Sequence, residues 1–221
     1  MGKRLLAGAS AALAALGAHA QLAGPVTLND TGAMLCGKAD GSTTPHCAGT
    51  GQDGASGRDA RARADGNGHG GFKFVKLDAA GAPLPADAPL WRCVADRVTG
   101  LVWEVKTTNG GVDGAGWRYS NLGNAGDTHD TGHLVAAVNA KHLCGASNWR
   151  LPTIDELQGI VDYGVTGSSM VDARFFPNVR EINYWASTPC ADDPGATWGF
   201  DFSPAISGDG SKPTSTRSVP C

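Results

Sequence analysis

"CGASNWRLPTIDELQGIVDYG", residues 144–164, is the stretch on which the reading of the fold turns. Pro152 holds the residue before it extended, which gives a sharp helix start. Thr153 and Glu156 stand at capping-box spacing: the threonine hydroxyl accepts from the third helical amide and the glutamate reaches back to the threonine amide. Ile154, Leu157, Ile160 and Val161 then recur as one apolar stripe, predicting an amphipathic helix that runs to Gly164. Asp155 and Glu156 fall in its first turn, where the helix dipole favours negative charge by about 0.3–1 kcal/mol each. Those carboxylates therefore serve the helix. Arg150, at the helix approach, is expected to tie loop carbonyls or a carboxylate such as Asp172 or Asp201.

Working outward, "TGHLVAAVNAKHLCG" (131–145) places Leu134, Val135, Val138 and His142 on a second helical stripe that stops at Gly145, where a left-handed cap is available. "TGLVWEVKT" (99–107) alternates Leu101, Trp103 and Val105 with Val102, Glu104 and Lys106, the period of a half-buried strand. A long polar loop, 110–132, separates the two and carries Trp117 and Tyr119. Downstream, "MVDARFFPN" (170–178) is a loop, "NYWAST" (183–188) and "ATWGFDFS" (196–203) are short strands, and "STRSV" (215–219) is polar. Strand, loop, two helices and further strands predict an α+β fold, two helices packed on short antiparallel strands, rich in loops.

Residues 21–90 are rich in Gly, Ala, Asp and Thr and too poor in large apolar residues to build a core alone. "GFKFVKL" (71–77) supplies a short strand through Phe72, Phe74 and Val75, and "DAAGAPLPADAPL" (78–90) is a proline-rich connector. Cys36 and Cys47 lie close enough to close a small loop. Residues 1–20 have the pattern of an export signal: Lys3 and Arg4, a short apolar run, and Ala18-His19-Ala20 before Gln21. No segment reaches the roughly 18 apolar residues of a membrane span. The expected organisation is a signal peptide over 1–20, an extension over 21–90 and a domain over 91–221.

Without residues 1–20 the basic count falls from 18 to 16 against 21 acidic side chains, a formal charge of −5. A chain of that charge, whose only basic run (Arg58, Arg61, Arg63) is broken by Asp59 and Asp65, makes a poor nucleic-acid binder. The 32 glycines favour turns over long helices, so cross-links are needed. Six cysteines (Cys36, Cys47, Cys93, Cys144, Cys190, Cys221) in an oxidising compartment predict three disulfides, with fifteen connectivities open and no C-x2-C spacing for zinc.

"CVADRVTGLVWEVKT", "LVAAVNAKHLCGASNWRLPTIDELQGIVDYG", "FFPN", "YWAST" and "ATWGFDF", in that order, resemble the Lcl C-terminal domain family, named for the tip domain of a collagen-like bacterial adhesin. "GQDGASGRDA" (51–60) and "GFKFVKLDAAGAPLP" (71–85) are similar to the region preceding this domain in exported bacterial members. The resemblance implies a fold related to C-type lectins and formylglycine-generating enzymes, in a secreted or surface protein. The family's namesake binds sulfated glycans; a chain of charge −5 has no counterpart to its basic surface. The resemblance also pairs Cys93 with Cys144. It leaves Cys190 and Cys221, where relatives carry other residues, to bond to each other, and Cys36 to bond Cys47. Each bond is expected to contribute about 2–4 kcal/mol.

Formylglycine-type chemistry needs reactive cysteines or a histidine-rich metal site, and an oxidised Cys93–Cys144 pair leaves no thiolate. "GDTHDTGH" (126–133) offers His129, Asp130 and His133, but residues 130–132 read as the loop and cap ahead of a helix, which spoils the shared-face geometry. "DGNGHGG" (65–71) echoes a calcium loop without its terminal glutamate and reads as a turn. There is no G-x-S-x-G elbow, and Asp155/Glu156 and Asp192/Asp193 are adjacent rather than separated carboxylates. No catalytic residue, metal or cofactor is expected. Trp103, Trp149 and Trp198 are assigned to packing, and the ligand-binding candidates are Trp117, Arg118, Tyr119 and Trp185, rigid rings beside polar groups that suit sugar or protein contacts. The expectation is an exported, adhesin-like recognition module, periplasmic or at the cell surface, that takes a glycan or a protein. Its alternatives are a metal- or thiol-dependent enzyme on the formylglycine-type scaffold and a structural envelope protein.

Overall fold

The computed structural model describes residues 27–203 apart from 59, 60, 62, 63, 66, 125, 166–168, 181, 192 and 194. Residues 1–20, expected to be a signal peptide, the tail "STRSV" and Cys221 lie outside the described residues. Two short ribbons open the chain, β1 (Cys36–Gly37) with β2 (Thr43–Thr44) and β3 (Ala64–Asp65) with β4 (Gly68–His69). An antiparallel sheet follows, β5 (Phe74–Leu77), β6 (Cys93–Asp96) and β7 (Val102–Glu104), with β6 in the middle. Then come α1 (Thr131–Ala140), α2 (Ile154–Gln158) and the hairpin of β8 (Asn183–Pro189) and β9 (Thr197–Asp201). This is the expected α+β arrangement of few helices and small antiparallel sheets. Among the described residues no helix is long and apolar enough to cross a membrane.

Cross-strand register explains the two cores. Partners directly opposite each other in an antiparallel pair point to one face. Lys76, Val94 and Trp103 therefore share one side of the sheet, and Leu77, Cys93 and Glu104 share the other. The first face joins Phe72, Phe74, Phe175, Phe176, the α2 stripe and Phe200 and Phe202 of the hairpin region in the larger cluster. The second packs on Val138 of α1, Leu143 and Cys144. Phe74 anchors the larger cluster through rings 5.2, 5.4 and 5.3 Å from Phe72, Phe175 and Phe176, within the range of favourable aromatic pairs. Trp103, Trp149 and Trp198 are partly buried against these clusters.

Both helices are shorter than their apolar stripes. α1 stops at Ala140, and His142, expected on its stripe, is an exposed left-handed residue with φ 49°. Cys144 (φ 50°) and Gly145 (φ 72°) continue the left-handed turn. The reason is close packing: a Cβ on Gly145 would meet the Ala80 carbonyl at 2.7 Å, and this turn brings Cys144 to Cys93 with Cα atoms 6.4 Å apart. α2 keeps the expected Thr153–Glu156 capping box yet stops at Gln158 rather than Gly164. Its stripe residues Ile160 and Val161 remain buried, but Asp162 N–H donates to Met170 O and Tyr163 N–H to Thr31 O, so other segments capture the groups a longer helix would use.

The disulfides Cys36–Cys47 and Cys93–Cys144 are present. Cys190 is buried and disulfide-bonded, and its expected partner Cys221 lies outside the described residues. Residues ahead of 91 are tied to the rest. β5 is the first strand of the main sheet, Asn29 donates to Asp96 and to Gly159 O, and His69 Nδ1 lies 2.8 Å from the buried Asp162 carboxylate.

Candidate functional site

Beside β7 lies a cavity of about 590 Å3, inside the roughly 300–1,000 Å3 typical of ligand pockets. One wall is the strand itself, residues 101–106; the facing walls are the start of β8, the loop at 114–119 and the segment 149–152 with the adjoining helices. Trp117, Arg118 and Tyr119 of the polar loop and Trp185 of β8, all singled out in the sequence, line it. A second hollow of about 550 Å3, lined by Thr107, Gly116 and Arg180 among others, shares Ala115, Trp117, Asn178 and Val179 with the first.

The aromatic wall is held from behind by main-chain carbonyls. Trp185 Nε1–H donates to Tyr119 O (2.7 Å), Tyr119 O–H to Val112 O (2.6 Å), Trp117 Nε1–H to Gly110 O (2.8 Å) and Trp149 Nε1–H to Leu143 O (3.0 Å). Trp117 also lies over Tyr119 and His129, with centroids 6.5 and 5.0 Å away. Each ring thus spends its polar atom on the scaffold and presents its apolar surface, so little rotamer freedom is left to lose on contact.

Two polar atoms in the same wall are different. Trp103 Nε1 and Glu104 Oε1 are buried and have no hydrogen-bond partner among the described residues. An unpaired buried donor or acceptor costs about 1–3 kcal/mol, so a fold retains one where something else can satisfy it. Burial pushes the Glu104 carboxyl above its ordinary range against the pull of Lys106, whose Nζ donates to Oε2 at 2.9 Å. Burial raises Tyr119 as well, aided by Glu104 and Asp113, and raises Tyr184 despite the N–H of Arg180 donating to its hydroxyl. Strict alternation had assigned Glu104 to a polar face; α1 and the 149–152 segment cover that face. An acid between Trp103 and Val105 in an apolar strand was the available signal.

Arg150 also lines the cavity, and its carboxylate partner is Glu156, not Asp172 or Asp201. The guanidinium grips both Glu156 oxygens (2.8 and 2.6 Å) and donates to Leu151 O (2.8 Å). Asp172 is occupied by Arg174, and Asp201 accepts from Ser203. Three residues of separation let Glu156 serve cap and ion pair at once.

Asp130, considered above with His129 and His133, is the N-cap of α1. Burial pushes its carboxyl up, but bonds from Gly132 N, Leu122 N and Ser120 Oγ outweigh that and hold it below the ordinary range. Its lone pairs close the loop rather than await a metal. Among the described residues no group of three His, Cys, Asp or Glu side chains could hold a metal ion. The residues Asp65, Gly68 and His69 belong to the β3–β4 ribbon.

Compared with known families, residues 92–221 match the model described as the Lcl C-terminal domain. No curated protein and no solved structure matches the chain.

Proposed function

The chain belongs to the Lcl C-terminal domain family, and from that premise we propose that it is an exported, non-catalytic recognition module whose aromatic cavity takes a glycan or protein ligand. The observation that carries this reading is the convergence of Trp117, Tyr119, Trp185 and Arg118 on one hollow whose rings are pre-fixed by their own hydrogen bonds. Pre-fixed rings bury apolar area at low entropic cost, the usual device of a binding surface. Disulfide bracing supports export to an oxidising compartment, and the lectin-like character of the fold belongs to the same proposal.

Catalysis on a formylglycine-type scaffold is the rival. Its thiols would have to come from cysteines that are cross-linked here, Cys93 to Cys144. Glycan and peptide arrays probed with the native protein and with Trp117→Ala test the reading, with thiol titration and metal analysis in parallel. Saturable binding that weakens about tenfold or more in Trp117→Ala is expected, the loss typical of one interface anchor. Two titratable thiols with stoichiometric metal in the native protein would overturn it in favour of an enzyme.

A further inference from the structure

We propose that the ligand of this cavity is an extended peptide segment, which adds as a fourth strand to the free edge of β7. The inference rests on the recognition reading above and narrows its ligand class.

The first observation is geometric. Six consecutive residues, 101–106, all line the cavity. Successive side chains in a strand point to opposite faces, so a hollow touching every one of them runs along the strand's edge rather than across a face. One edge of β7 is taken by β6, which leaves the other.

Hydrogen-bond phase says what that edge presents. Asp96 N–H donates to Leu101 O and Val105 N–H to Arg92 O, so residues 101, 103 and 105 turn their main-chain groups toward β6. The alternation of an antiparallel ladder then turns the N–H and C=O of Val102 and Glu104 outward. Among the described residues none of these four groups has a partner. Further along, the edge is closed: Asn178 Nδ2 donates to Lys106 O, and Thr107 N–H donates to Asp113 O. The open stretch is therefore short, enough for three or four residues of a partner strand at about 3.3 Å each.

The make-up of the lining also favours a peptide over other neutral ligands. Four of the charged side chains in the lining are paired with one another, Glu104 with Lys106 and Arg150 with Glu156, and Arg118 and Asp201 are the other two. A wall so largely self-neutralised suits an uncharged main chain, and Trp117, Tyr119, Tyr184 and Trp185 suit apolar side chains at alternate positions.

The test uses the full oxidised protein and a pool of acetylated, amidated octapeptides in which apolar and polar residues alternate. Saturable binding is expected, with new hydrogen-exchange protection at the Val102 and Glu104 amides and no change at Trp103, whose amide is already in the ladder. Val102→Pro removes one outward N–H at an edge position where proline is tolerated, and should weaken binding about tenfold. N-methylation of the best peptide covers the case in which that variant fails to fold: methyls in one alternate phase should abolish binding and in the other leave it intact. Binding without protection at Val102 and Glu104, or insensitive to both N-methyl phases, overturns the inference. If the pool does not bind but neutral oligosaccharides quench the cavity tryptophans, this inference fails and the recognition reading stands; if neither binds, both fail.

Discussion

Replacing Arg150 by alanine tests whether the helix approach is held by an ion pair or kept for a ligand. The guanidinium makes two bonds to Glu156 and one to Leu151 O. Side-chain exposures of 30% and 22% place the pair at a half-wet site, where solvent screening leaves it worth about 1 kcal/mol. Losing the Leu151 bond adds about 1 kcal/mol. Arg150→Ala should therefore cost about 2 kcal/mol, a fall in Tm of about 4–8 °C for a domain of this size. Glu156→Gln keeps a side chain able to complete the capping box but discharges the pair, so about 1 kcal/mol is expected. The double variant should fall short of the sum by about 1 kcal/mol, since both single changes remove the same contact. Urea unfolding under oxidising conditions, monitored by tryptophan fluorescence, measures all three. Full additivity, or an unchanged midpoint for Arg150→Ala beside an altered affinity in the cavity, would refute the structural role and make Arg150 a ligand contact.

Two further outcomes follow from the same frame. Cys93→Ser with Cys144→Ser opens a loop of sequence separation 51 and should cost about 4 kcal/mol on the chain-entropy estimate, checked by urea midpoints of the two proteins; an unchanged midpoint would deny the bond its bracing role. Glu104 has its carboxyl raised in the fold by burial. The stability it contributes is present in full below its unfolded value and is lost as pH rises through the raised folded one. Glu104→Gln should flatten that part of the pH–stability curve, measured as urea midpoints from pH 4 upward; an identical slope in the variant would show that Glu104 is not buried as an acid.

What the sequence made legible was whatever depends on neighbours a few residues away. The Thr153–Glu156 box, the hairpin strands around Trp185 and Phe200 and the strand through Phe74 follow from spacing alone. Where distant segments compete for the same atoms, spacing failed. Tyr163 N–H is taken by Thr31, and the turn carrying Cys144 is pressed against Ala80, so both apolar stripes outlast their helices. The site was partly legible for the same reason. Trp117 and Tyr119 stood out because large rings in a polar loop need a purpose, whereas Glu104 was concealed by strand alternation: only the fold reveals that both faces of β7 are covered.

That double cover also explains why the edge matters more than either face. A strand packed on both sides cannot offer its side chains freely to a ligand, but its outer main-chain groups remain, and leaving them unpaired in a hollow is costly unless water or a partner fills it. The β8–β9 hairpin contributes Tyr184 and Trp185 to the opposite wall without pairing with β7. The chain instead holds that hairpin by other contacts, Ser187 N–H to Pro152 O and Ile154 N–H to Thr188 Oγ1, and pins the 114–119 loop through Tyr119 and Trp117. Those bonds fix the walls themselves, since Pro152, Trp117 and Tyr119 all line the cavity. A gap with its walls tied in this way needs little rearrangement to admit a segment, so binding is opposed mainly by the segment's own ordering, its lost rigid-body freedom and desolvation.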